Sequence, residues 1–119
     1  MPDELAVVRD AYALNLELAR RVEKFSRHHR AGLGADLTRH ARDLLDGLIR
    51  AKYAATADRP ALLNEVNVGL ELLRFQLRLA ADLRAYPLAA HGHLLRLADD
   101  VGRQVGGWIR SLKAKGGGT

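Results

Sequence analysis

Lys24, Arg27 and Arg30, with His28 and His29 between them, fall within seven residues, and Arg20 and Arg21 precede them by one helical turn. Cations at this density hold anions. The chain has 19 Lys and Arg against 14 Asp and Glu, a formal net charge of +5. Residues 20–52 contain nine basic and four acidic groups, so this stretch carries the whole excess and the remainder is balanced. Basic side chains near a helix C-terminus also satisfy terminal carbonyls and complement the macrodipole, at about 0.3–1 kcal/mol each. Two residues would suffice for that, and five with two histidines exceed it. The pattern points to a polyanion or an acidic partner surface, with salt-dependent binding through counterion release. Aromatic residues are only 5% of the chain, and Tyr12, Phe75 and Trp108 are assigned to structural positions. Few platforms are left for stacking bases, so recognition of backbone and shape is expected over base reading.

Other constellations are weaker. Arg74 and Arg78 share a helix face, with Arg84 beyond, but Glu71 and Asp82 stand at spacings where surface ion pairs form. His91 and His93, followed by Asp99 and Asp100, point in different directions on a helix and make no convergent metal set. Asp43 and Asp46 lie beside Arg42 and Arg50 and read as solvated carboxylates, not as an acid–base pair. There is no cysteine, which excludes disulfides, thiolate metal sites and cysteine nucleophiles. No glycine-rich loop joins a strand to a helix, so nucleotide folds of that kind are absent. No catalytic residue, metal or cofactor is expected, and an enzyme is not. Gly102, Gly106 and Gly107 each cost up to about 1 kcal/mol in a helix. Beside Trp108 they would let a neighbouring helix or subunit approach closely.

Four helices must carry these residues. The first is expected over 3–25 with Leu5, Val8, Tyr12, Asn15, Ala19 and Val22 as its buried stripe, and the second over 32–57 with Leu33, Leu37, Ala41, Leu44, Leu48, Ala51 and Ala55. The third, opened by Pro60 and running to Arg84, buries Leu63, Val66, Leu70, Leu73, Leu77 and Ala80. The last follows Tyr86-Pro87, ends near Lys115, and places Leu94, Ala98, Val101, Val105, Trp108 and Leu112 at heptad steps. Short connections make neighbours antiparallel, giving an all-α, up-down-up-down four-helix bundle as one domain over residues 1–115, with 116–119 a flexible glycine-rich tail. Leu62, Gly69, Leu72, Leu79 and Leu83 form a second apolar face on the third helix, which homo-oligomerisation would cover. Acidic residues at the N-terminus and the lack of a run of about 20 apolar residues argue against a signal peptide and a membrane span, so a cytoplasmic protein is expected.

Three segments also resemble one family. Phe25-Ser26-Arg27-His28-His29-Arg30-Ala31-Gly32-Leu33-Gly34, Leu70 to Ala80, and Val101-Gly102-Arg103-Gln104-Val105-Gly106-Gly107-Trp108-Ile109 are similar, in order and spacing, to the F-P-R-x-x-R-x-x-L-G, L-E-x-L-R-x-x-x-R-L-A and I-G-R-x-x-G-G-W-I motifs of accessory variability determinant (Avd) proteins of diversity-generating retroelements. The resemblance implies a ring-like homopentamer and a non-catalytic partner of the element's reverse transcriptase. Such a partner binds the polymerase and RNA or DNA through a basic surface to support mutagenic retrohoming. The matching basic positions are Arg27, Arg30, Arg74, Arg78 and Arg103, and Gly106, Gly107 and Trp108 match a packing motif. Ser26 stands where the family has proline. Four-helix proteins encoded in ribosomal RNA intervening sequences are similar in fold, but their N-I-A-E-G signature is absent here, where Asp46-Gly47-Leu48-Ile49-Arg50 stands. A purely structural oligomeric scaffold is the other alternative.

Overall fold

The computed structural model describes residues 4–117, and among these there is no strand. Helix α1 spans Glu4–Glu23, α2 Ala35–Tyr53, α3 Arg59–Asp82 and α4 Leu88–Gly117. A single helical turn, Arg27–His29, and a wide π-helical turn, Arg30–Gly34, lead into α2, and a 3-10 turn, Thr56–Asp58, leads into α3. The bundle measures 53 × 22 × 20 Å. Each helix packs on its two sequence neighbours, and α4 closes the square against α1. Helices α1 and α3 therefore run parallel at diagonal corners. No helix among the described residues is long and apolar enough to cross a membrane.

Three of the four core stripes follow the heptad reading. Leu37, Ala41, Leu44, Leu48 and Ala51 of α2 are buried, as are Leu63 to Ala80 of α3 and Leu94 to Leu112 of α4 at the expected positions. Leu33 is only partly buried and Ala55 is exposed, because regular helix begins after the π turn and stops at Tyr53.

Helix α1 departs from expectation by one register. Its core residues are Val7, Ala11, Leu14 and Leu18, whereas Leu5 and Tyr12 are 65% and 58% exposed and Ala19 is also outside. Apolar residues occur nearly all round this helix, so two stripes one residue apart both satisfy steps of three and four. The neighbours choose between them. Asn15 lies at the edge, where its amide donates to the Ala11 carbonyl at 2.9 Å and to Ala41 of α2 at 2.8 Å. Phe75 is likewise 61% exposed and not structural, while Trp108 is 3% exposed and belongs to the core.

The ends also move. Helix α1 stops at Glu23, two residues early, and α3 stops at Asp82, because Arg84 takes a left-handed conformation (φ 58°) that closes a Schellman motif. There the Ala85 N–H donates to Ala80 and the Arg84 N–H to Ala81. A non-glycine residue in this region is strained by roughly 1 kcal/mol. Arg84→Gly is expected to raise stability by about that amount in a denaturant titration. Helix α4 runs to Gly117, so of the predicted tail only Gly118 and Thr119 lie outside the described residues.

At the far end of the bundle Arg59 joins three elements. Its guanidinium pairs with Glu4 of α1 at 3.3 Å and donates to the Lys52 and Ala54 carbonyls at the end of α2. Pro60 follows within the first turn of α3, as expected.

Candidate nucleic-acid interface

The end of α1 is built to hold a fixed turn. The Lys24 and Phe25 N–H groups close onto Arg21 and Val22, and the Ser26 carbonyl accepts from both His29 and Arg30. Phe25 then turns inward and is 2% exposed, meeting Tyr86 edge-on at 6.0 Å between centroids. The α1–α2 and α3–α4 junctions are thereby locked together at one end of the bundle. Gly34 is required beneath them, since a Cβ there would stand 2.7 Å from Val22 Cγ1 and 3.4 Å from the Phe25 ring. Thr38 Oγ1 donates to the Gly34 carbonyl at 2.9 Å, which holds the entry to α2. The π turn that results projects the residues between Phe25 and Gly34 outward, a distortion often found at functional sites.

Ser26 has φ −58° and ψ 154°, and among the described residues its N–H donates to no backbone carbonyl. Proline fits that geometry with no lost bond. Ser26→Pro is therefore expected to stabilise the protein by about 0.4–1 kcal/mol through the unfolded chain, read as a higher thermal midpoint.

The cations divide by what they already touch. Arg21 is tied to Glu17 at 2.9 Å, and Arg30 donates to the Phe25 carbonyl at 3.2 Å, which is the capping role anticipated for part of the cluster. Arg20, Lys24 and Arg27 are exposed and, among the described residues, have no ion-pair or hydrogen-bond partner. The His28 and His29 rings meet at 5.0 Å between centroids, tilted by 58°. One arginine thus takes the capping role and another pairs along its own helix, and three cations remain presented to solvent at the end of the bundle that also carries Arg84.

The second basic set is mostly engaged. Arg74 bridges Glu71 at 3.3 Å and Asp99 of α4 at 3.1 Å, and it lies over Gly102, where a Cβ would stand 2.7 Å from its guanidinium. A side chain at 102 would also crowd Leu70 Cδ2 at 3.1 Å, and the guanidinium would have to move aside. Arg78 is 72% exposed with only a 3.8 Å pair to Asp82. Arg74, Phe75, Arg78 and His91 line a shallow depression between α3 and α4. Arg103 pairs with Asp100 and lies about four turns into α4, on a different part of the molecule from the junction. Gly106 and Gly107 face only Arg110 of their own helix, so within one chain no other element uses the space they leave. Leu72, Leu79 and Leu83 are 50%, 44% and 48% exposed, and Val68 and Phe75 join them to make one outward stripe.

Tyr86 anchors the locked end. Its hydroxyl donates to the Leu77 carbonyl at 2.7 Å, so His91 Nδ1, 3.0 Å away, must bring its own proton to the phenolic oxygen. Burial pushes the phenol well above its ordinary pKa of 10.0. Its neutral form is favoured in the fold, so this contribution is complete below pH ~10 and is lost as pH rises beyond it. Charge and sequence pattern had marked the cations, and the motif includes Gly34; Tyr86, which supports them from the α3–α4 junction, carries no charge run or motif that distinguishes it.

No group of three or more potential metal ligands occurs among the described residues. No curated protein matches the chain. The sequence profile of the bAvd-like family matches residues 13–112, a span from mid-α1 to the last turns of α4.

Proposed function

The chain belongs to the bAvd-like family, and from that premise we propose that it is a non-catalytic accessory protein of a diversity-generating retroelement. In this reading the basic end binds the element's reverse transcriptase and its template RNA or cDNA, in support of mutagenic retrohoming. The observation that carries it is the set of three cations, Arg20, Lys24 and Arg27, that have no partner among the described residues and stand just ahead of the π turn, with Arg27 inside the motif that resembles the family. Homo-oligomerisation, as a pentamer by resemblance, would repeat this small patch around a ring and raise its avidity for a long polyanion.

The outward apolar stripe of α3 supports self-association, since a monomer rarely exposes so continuous a surface. The alternative of a structural scaffold draws on Arg21 and Arg30, which are already occupied in the fold. Fluorescence anisotropy with a single-stranded RNA across a salt series separates the two. The accessory reading expects log affinity to fall linearly with log salt, with a slope of about −0.7 per phosphate contacted. Affinity that is negligible, or indifferent to salt, favours the scaffold. Co-purification with the reverse transcriptase encoded beside the gene tests the protein partner.

A further inference from the structure

The corrected register of α1 leaves Leu5, Tyr12 and Leu16 on the outside as a stripe, 65%, 58% and 38% exposed. A groove of about 440 Å³ runs between α2 and α3, lined by Asp43 and Gly47 on one side and Leu62, Glu65, Gly69 and Leu72 on the other. Its notch is Gly69, where nothing lies within 4 Å of the position of a Cβ. We propose that the outer stripe of α1 in one chain docks head-to-tail into the α2–α3 groove of a second copy, with Tyr12 seated over Gly69.

Three features select a second copy as occupant. The first is level. Asn15 reaches Ala41, the Val66 side chain crowds Gly47, and Glu4 pairs with Arg59, so that along the bundle axis Leu5 stands at the height of Leu62, Tyr12 at that of Gly69, and Leu16 at that of Leu72. Knobs and hole match in a neighbour related by an axis parallel to the helices. The second is charge. Arg9 is 73% exposed and only 3.8 Å from Asp10, and it stands at the height of Glu65, which has no ion-pair partner among the described residues. The third is direction. Asn15 marks the α2 side of α1, and Arg74, paired with Asp99, marks the α4 side of α3. At 100° per residue the α1 stripe and the groove both lean toward α2, on adjacent sides of the square. Successive head-to-tail contacts then turn through roughly a right angle and close into a small ring instead of an open fibre. Pairing stripe with stripe would leave the groove uncovered.

This inference rests on the homo-oligomeric reading above, and one experiment separates them. The chain has no cysteine, so Tyr12→Cys and Gly69→Cys introduce the only thiols. With a short bis-maleimide, the double variant is expected to give a ladder of linked chains ending in a closed ring, while each single variant alone stays unlinked. Linking of a single variant to itself shows a two-fold interface and overturns the proposal. Oligomers in sedimentation velocity that never link 12 to 69 overturn this docking and leave self-association standing; a monomer overturns both. Linking of Tyr12→Cys to the reverse transcriptase alone assigns the face to the polymerase and overturns it. Gly69→Leu, whose Cβ meets no atom within 4 Å in its own chain, fills the notch and is expected to abolish assembly at unchanged helix content; an intact oligomer overturns the proposal.

Discussion

Replacing Lys24 and Arg27 together by glutamate is expected to weaken RNA binding by at least about tenfold near 0.1 M salt, with the helical signal and thermal midpoint essentially unchanged. Both side chains are exposed and make no ion pair among the described residues, so reversing them removes phosphate contacts without breaking anything in the fold. The loss should come with a shallower salt slope, because fewer counterions are released. A tenfold loss is about 1.4 kcal/mol, which two exposed cations supply when the site is repeated around an oligomer. Arg30 behaves differently. It donates to the Phe25 carbonyl, so Arg30→Ala is expected to cost about 0.5–1.5 kcal/mol of stability as well as binding. Unchanged affinity in the Lys24 and Arg27 double variant would remove the assigned site.

Phe25→Ala is the second large effect, with an expected loss of about 3–5 kcal/mol. The ring is 2% exposed, covers Gly34 and meets Tyr86, so its removal leaves a cavity where the two junctions are joined. Against a typical total of about 5–15 kcal/mol this is a large fraction, and the thermal midpoint should fall by roughly 10 °C or more. The basic turn loses its inner support in the same step, so RNA affinity drops although no cation has been touched. Tyr86→Phe is the milder comparison. It keeps the aromatic contact and loses the bonds to Leu77 and His91, costing about 1 kcal/mol, and it should blunt the fall in stability above pH ~10. A Phe25→Ala protein with a wild-type midpoint would show that the junctions are not coupled.

Helix number, order and three of the four core faces were legible in the amino-acid sequence. In α2 and α4 the apolar positions at heptad spacing are set off by polar neighbours, so only one face could be buried, and in α3 the unbroken stripe from Leu63 to Ala80 stands out from a second apolar face that is interrupted. The basic junction was legible for the same kind of reason: a local charge excess is a property of the chain before it folds. Helix α1 was not, since its apolar residues nearly encircle it and two registers compete on equal terms. Only contact with α2 and α4 selected Val7, Ala11, Leu14 and Leu18 and released Tyr12 to the surface. Tertiary structure also decided which cations reach across the bundle. Arg74 and Arg78 stand one turn apart on α3, yet Arg74 meets Asp99 of α4 and Arg78 meets only Asp82 of its own helix. Periodicity and charge are local quantities and can be read along a chain. Which of two equivalent faces is buried, and which of two neighbouring arginines pairs across the bundle, depends on atoms from other helices, and those come together only in the folded bundle.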